Sequence, residues 1–254
     1  MKDKKTKALN LIIPLLSIIC LIMVWTMASL AIDKPRVLPS FSATVEKFFS
    51  LFSYGEFYSA YFGTVLRSLI AFLISFLLAL FLVWIFQKHQ MIKKFVAPIL
   101  AIIRVLPTIA VVLLLLVWTN NNTFIAPIIV TILVVLPTTF TSLSSAFDSV
   151  DKDAVKACEF FSVSKKDILI NVQLQQIAPS LYSVIGAGLS LNLKLMVAAE
   201  VLAFTESSIG NYISLANSYD QTVTMMALVL SVVITGLVIE LIFSYLSKKA
   251  GKWQ

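Results

Sequence analysis

This chain is poor in the residue types that carry hydrolytic and metal chemistry. It has one histidine and two cysteines among 254 residues, and it contains neither H-E-x-x-H nor G-x-S-x-G. His89 sits in a basic loop and reads as a solvated residue. Metal-dependent and nucleophilic enzymes therefore lack their parts here. The Gly251-Lys252 pair has Leu246 where the first glycine of a nucleotide-binding loop should stand, and Trp253 follows it. Cys20 falls in a predicted span and Cys158 in a predicted loop, so no disulfide framework follows. Charge is also scarce: 13% of residues are charged, against roughly 25% in an ordinary soluble domain.

What is abundant is apolar surface. Hydrophobic residues make up 59% of the chain, and the mean hydropathy is +0.94. A water-soluble fold of this length could not hide that much, so lipid must be the solvent for much of it. A spanning helix needs roughly 20 mostly apolar residues. Six such stretches occur, at about residues 8–32, 62–86, 97–118, 124–146, 180–204 and 221–247. From Val105 to Phe147 there is no charge, a run too long for one helix, and the polar cluster Thr119-Asn120-Asn121-Asn122-Thr123 divides it between the third and fourth spans. Backbone groups in lipid must be satisfied within the segment, which makes these spans helices, and the alternation of a barrel strand is missing. The expected fold is an all-α membrane protein with six transmembrane helices, forming a single domain over residues 1–254.

The net charge of +7 and pI near 9.4 do not point to nucleic acid, because the basic residues lie in short clusters between spans. Lys2, Lys4, Lys5 and Lys7 precede the first span. Lys88, Lys93 and Lys94 follow the second, Lys152, Lys156, Lys165 and Lys166 follow the fourth, and Lys248, Lys249 and Lys252 follow the sixth. The opposite side has only Lys34, Arg36 and Lys47. The positive-inside rule then puts both termini in the cytoplasm of a multi-pass protein in the cell (inner, or cytoplasmic) membrane. Ser29-Leu30-Ala31 offers a small-x-small cleavage pattern. The apolar run before it is longer than the roughly 7–15 residues of a signal core, so a retained first helix is expected. Val45, Phe48, Phe49 and Phe52 follow helical spacing after Leu38-Pro39-Ser40. They predict a short amphipathic helix, lying either in the outer interface or against the bundle.

The longest polar stretch, residues 149–178, has helix-forming composition and no glycine. It reads as helix, turn and helix, with the turn at Ser162-Val163-Ser164 and Ser164 capping the second helix. Phe160 and Phe161 adjoin the turn, where they can either dock into a partner's groove or pack back on the bundle. Within this stretch, Lys156-Ala157-Cys158-x3-Ser162-x9-Val172-x-Leu174-Gln175 resembles the pattern Glu-Ala-Ala-x3-Gly-x9-Ile-x-Leu-Pro of permeases from binding-protein-dependent ATP-driven (ABC) importers. Lys156, Ser162 and Gln175 depart from it. The resemblance extends through Leu38-Pro39-Ser40, Thr64-Val65-Leu66-Arg67-Ser68 and Pro98. It continues through Arg104-Val105-Leu106-Pro107-Thr108-Ile109-Ala110, Trp118, Val197-Ala198-Ala199-Glu200 and Ser208-Ile209-Gly210. Together these resemble the subgroup that imports nitrate, taurine, sulfonates and thiamine precursors.

The resemblance implies a pathway formed by two permease copies, expected as a homodimer, working by alternating access. It implies ATP-binding subunits beneath, which bind ATP and Mg, so that this chain itself carries no cofactor. It also implies a substrate-binding protein outside and a coupling helix in the 149–178 loop. Lys156, Ala157, Cys158, Phe160, Phe161, Ser162 and Ser164 are then the residues expected to couple to the ATPase.

Ionisable residues inside spans are costly and usually face the bundle interior or a watery cavity. Arg67 and Glu240 lie near span ends, where snorkelling and a structural role are expected. Arg104, before Pro107, is deeper. It reads as part of a bent pathway helix or as half of an internal ion pair, for example with Glu200. Lys194 and Glu200 are six residues apart, which turns them about 120° from each other on one helix. Each therefore needs a partner elsewhere. Asn192, Lys194 and Ser190 make this span unusually polar, as expected of a face toward an aqueous path. The candidate translocation residues are Arg104, Pro107, Lys194 and Glu200, and the two cations would favour an anionic or zwitterionic solute. Gly186 and Gly188 read as close helix contacts. The alternatives are an ion-coupled secondary transporter, in which Lys194 and Glu200 would couple to ions, and a membrane scaffold or sensor subunit without transport.

Overall fold

The computed structural model describes residues 2–251; Lys252 and Trp253, both used above, lie outside the described residues. The chain is helical throughout, with no strand among the described residues. The helices are α1 (Lys2–Ile32), α2 (Phe41–Leu51), α3 (Gly55–Lys88), α4 (Gln90–Val105), α5 (Thr108–Trp118) and α6 (Ile125–Asp148). After these come α7 (Lys152–Phe160), the three-residue α8 (Lys165–Asp167), a π-helical segment (Ile168–Gln173), α9 (Leu174–Ala203), α10 (Ile209–Ser218) and α11 (Thr222–Ala250). Among the described residues, five helices are long and apolar enough to cross a membrane, within α1, α3, α6, the run Lys165–Ala203 and α11.

The expected third span differs. Residues 97–118 do not form one helix, because α4 and α5 meet at 97°. The cause is local. Leu106 precedes proline and is extended, with ψ 131, as steric conflict with the proline ring demands. Pro107 has no N–H with which to continue the ladder. The pair counts as a sixth span only if the bent helices cross together.

The polar cluster divides its run as expected. Asn120 and Asn121 take left-handed backbone, φ 53 and 58, a conformation that asparagine tolerates better than most residues. The Asn121 N–H then bonds back to the Leu116 carbonyl at 2.7 Å. Asn122 Oδ1 accepts from the N–H groups of Phe124 and Ile125 at 3.1 and 2.9 Å, starting the next helix.

The chain divides into two compact units. One comprises residues 1–58 and 212–231. In it, the predicted amphipathic helix is α2, capped by the Ser40 hydroxyl, which accepts from the Ala43 N–H at 3.2 Å. Trp25 Nε1 donates to the Pro39 carbonyl at 3.0 Å, and the Thr222 hydroxyl donates to the Arg36 carbonyl at 2.6 Å. The Tyr212 hydroxyl donates to Glu56 Oε2 at 3.2 Å. Burial, then that hydrogen bond and the Glu56 charge, raise the Tyr212 pKa, which keeps the phenol a donor.

The other unit comprises residues 59–211 and 232–254. Its core is the packing of α6 on α9, with α5 and α3 completing it through Val112, Leu115, Val130 and Ala199 and through Ala79, Val83 and Leu143. The two expected close contacts are present. A Cβ on Gly186 would meet Phe243, and one on Gly188 would meet the Phe72 ring.

Candidate functional site

The end of α9, the start of α10 and the distant helix α3 converge on one carboxylate. Arg67 on α3 donates from Nε to Glu200 Oε1 at 2.8 Å, and its Nη2 is 2.8 Å from the same oxygen. Thr64, one turn earlier, donates to Glu200 Oε2 at 2.8 Å and accepts from the Ile209 N–H at 3.0 Å. The Gly210 N–H also points at Oε2, at 3.4 Å. The Glu200 carboxylate thus sits at the start of α10, where unpaired N–H groups and the helix dipole favour negative charge. The Arg67 guanidinium also lies over the Phe124 ring, 5.4 Å from its centroid. Side-chain exposure is 7% for Arg67 and 0% for Glu200.

Two expectations are corrected by this node. Arg67 does not snorkel outward, because a buried carboxylate on α9 supplies a partner that lipid cannot. Arg104 does not pair with Glu200, whose coordination Arg67, Thr64 and Gly210 fill. Glu200, expected along a translocation pathway, is wholly buried within the single chain.

Gly210 holds this node closed. A Cβ there would collide with the Glu200 Cβ and the Val201 backbone nitrogen. Neither is the yielding end of a flexible side chain. Gly210→Ala should therefore lower stability by at least about 1–3 kcal/mol, read as a fall in the melting temperature of the detergent-purified protein. An unchanged melting temperature would mean that α9 and α10 are less tightly opposed than described.

The other membrane charges are placed differently. Lys194 is exposed and its ammonium makes no hydrogen bond or ion pair among the described residues. It lies on the exposed stripe Ser183, Ala187, Leu191, Lys194 and Ala198 of α9. Asn192 and Ser190 do not share that stripe, and both are buried. Asn192 Nδ2 donates to the Ser68 carbonyl at 2.6 Å. The polarity of this span therefore divides between packing on α3 and an open face. Arg104 is exposed and donates from Nη2 to the Pro137 carbonyl at 3.3 Å and to Thr141 Oγ1 at 2.5 Å, tying the end of α4 to α6. Pro107 is the exposed vertex of the α4–α5 bend. Glu240 is exposed on α11.

In the polar loop, Asp151 caps α7 by accepting from the Asp153 and Ala154 N–H groups at 2.8 and 3.2 Å. Its own N–H donates to Gln176 Oε1 at 2.8 Å, tying α7 to α9. Ser164 is the expected cap, its hydroxyl accepting from the Asp167 N–H at 3.2 Å. Ser162, aligned with the family's glycine, has φ 57, the left-handed region where glycine is free of the Cβ penalty. Phe160 and Phe161 are 84% and 77% exposed and meet each other edge to face, with centroids 5.5 Å apart. Lys156 pairs with Asp153 at 3.1 Å on the surface, a contact worth little in water. Ala157 is exposed and Cys158 half-buried beside it. The second helix of the predicted hairpin is not separate. It runs through α8 and the π segment into α9.

The Arg67–Thr64–Glu200–Gly210 node was missed as a unit. A signal for it was available: Glu200 required a partner on another helix, and Arg67 is the other span cation near an end. The π segment left no trace in composition or periodicity.

The chain as a whole is similar to known proteins. Over 237 residues the chain is 23% identical to the taurine transport system permease protein TauC of Escherichia coli (strain K12), covering 90% of this chain and 84% of that protein. Among solved structures, an inward-facing form of the MetNI methionine ABC transporter aligns with a TM-score of 0.60 at 17% identity, over 74% of this chain and 93% of that one. An amino acid ABC transporter crystallised with histidines aligns at 0.62 and 18%, over 82% and 98%. At those identities the structures show the fold alone. Residues 73–252 match the family model of the binding-protein-dependent transport system inner membrane component, so this chain, a multi-pass helical membrane protein, belongs to that family, the permease subunits of ABC importers.

Proposed function

We propose that two copies of this chain form the solute pathway of an importer in the cell membrane, each copy working as one permease domain over residues 1–254. Both termini face the cytoplasm. Separate ATP-binding subunits, which hold ATP and Mg, dock on the 149–178 loop, and an external binding protein delivers solute. The chain itself needs no cofactor and catalyses no reaction. ATP binding draws the partner subunits together, and the loops carry that motion into α9 and switch the pathway between inward and outward access. A ligand or motion can drive such a switch only by favouring one state over the other.

The observation that carries this reading is the Phe160–Phe161 pair. Two large apolar side chains stand in water at the tip of a capped helical hairpin, although burying them is worth about 1.5–3 kcal/mol each. An ion-coupled mechanism has less support, since Glu200 is committed to Arg67.

Lys194 supports the pathway assignment. A lysine within a membrane span avoids lipid, and here it lies on an exposed stripe that has no other charge, with no partner among the described residues. It therefore faces water or the second copy. With Arg104 it would favour an anionic or zwitterionic solute, consistent with taurine, the solute in the name of one relative. In proteoliposomes carrying the whole complex, Lys194→Met and Arg104→Met should each reduce uptake of such a solute by about tenfold or more, the loss of one charge interaction of roughly 1.4 kcal/mol. Unchanged uptake and selectivity in both would remove these residues from the pathway.

A further inference from the structure

Behind α7 lie two adjoining cavities of about 270 and 280 Å³, which share Gln87, Phe147 and Lys152 in their walls. One is completed by Lys156 and Gln173, the other by Lys93, Ser144 and Asp148. The ends of α3, α4 and α6 thus meet α7 and the π segment around one cleft.

The cleft is electropositive. The Lys93 and Lys152 ammonium groups make no hydrogen bond or ion pair among the described residues. Lys156 adds a third ammonium, neutralised only by the exposed Asp153. The single acid in the wall, Asp148, accepts weakly from the Ser144 hydroxyl at 3.5 Å. Gln87 and Gln173 add amide donors. Three ammonium groups against two carboxylates, Asp148 and Asp153, leave a net positive recess that favours an anion, and Val83, Phe86, Val150 and Val155 line part of it.

The cleft also sits where a span ends. Lys88 closes α3 with its Nζ 4.0 Å from the Trp84 ring centroid, a pairing typical of the membrane–water interface. Basic pockets between helices at that level hold lipid headgroups.

We propose that this cleft binds the phosphate of an anionic lipid headgroup, which pins α7 to the ends of α3, α4 and α6. Membrane composition would then set how firmly the hairpin bearing Phe160 and Phe161 is held. Only this consequence rests on the coupling function proposed above, and binding itself does not.

The full-length chain, exchanged into equal phosphatidylglycerol and phosphatidylcholine and released from mild detergent, is read by native mass spectrometry for retained lipid. The wild type should keep phosphatidylglycerol about tenfold or more over phosphatidylcholine, since each lysine near the surface contributes about a factor of five. Lys93→Gln with Lys152→Gln should abolish the preference, while Lys93→Arg with Lys152→Arg should keep it, which separates charge from fold. Equal enrichment in wild type and the glutamine variant would overturn the site. Protection of the wild type by millimolar inorganic phosphate in pure phosphatidylcholine, without phosphatidylglycerol enrichment, would overturn the lipid assignment and leave a soluble phosphate as the occupant. Labelling of Cys158 by an impermeant maleimide in a Cys20→Ser background tests the cytoplasmic placement separately. Labelling from outside, with lipid still retained, would sink the coupling function and spare the binding site.

Discussion

Arg67→Met should destabilise the protein by about 3–5 kcal/mol, the cost of stranding a buried charge without its partner. Glu200 would keep Thr64 and the weak Gly210 contact at 2.8 and 3.4 Å but would lose its counter-charge where almost no water reaches. The expected observation is a large loss of monodisperse protein in detergent and a melting temperature lower by on the order of 10 °C. Adding Glu200→Leu to Arg67→Met should recover part of that loss. An apolar replacement of a whole buried pair costs far less than half of one, although the Gly210 and Thr64 donors are then left with less to bond. The node is structurally unimportant if the Arg67→Met protein melts with the wild type, and its energetics are wrongly assigned if the double variant is worse than either single.

The second large effect concerns the loop. Phe160→Ala with Phe161→Ala should weaken attachment of the ATP-binding subunits by two to four orders of magnitude, since roughly 3–6 kcal/mol of apolar burial is removed from the proposed docked state. The chain's own stability should hardly change, because both rings are in solvent before docking. Native mass spectrometry of the tagged chain co-expressed with candidate ATP-binding subunits measures this directly. Wild type should carry two such subunits on two permease copies, and the variant should arrive without them. Retention of both subunits by the variant would move the docking surface away from this hairpin.

These two sites were not equally legible in the amino-acid sequence. The first helix and turn of the loop were, because their determinants are local: the Ser164 cap, the polar composition and the paired phenylalanines act within a few residues of one another, whereas the run of the second helix into α9 was not. The node was only half legible. Membrane burial requires a partner for Glu200, but three residues on two other segments compete for its oxygens, and no spacing rule names them. Arg67 illustrates the limit. Its position near a span end favours snorkelling, and the pull of a buried carboxylate outweighs it. Asn192 illustrates another. Polarity in a span predicted an aqueous face, yet a buried donor is equally satisfied by the Ser68 carbonyl on a packed neighbour.

The sequence by itself determined that lipid is the solvent, where most of the apolar runs lie, and that a break falls at Asn120–Asn122, whereas the full break at Leu106-Pro107, read there only as a bend, is a finding of the fold. The first three follow from composition and from backbone chemistry within one turn. It also placed Ser162 in the turn, although the left-handed φ was visible only in the fold. Only the tertiary structure decided that α4 and α5 meet near a right angle, that Glu200 belongs to Arg67, and that Lys194 is left unpartnered among the described residues. It alone showed the π-helical entry into α9. Helical periodicity fixes the angle between two side chains on one axis. It carries no information about how that axis is rotated against its neighbours, and in a bundle of uniformly apolar helices that rotation is set by a few close contacts, such as Gly188 on Phe72 and Gly210 on Glu200.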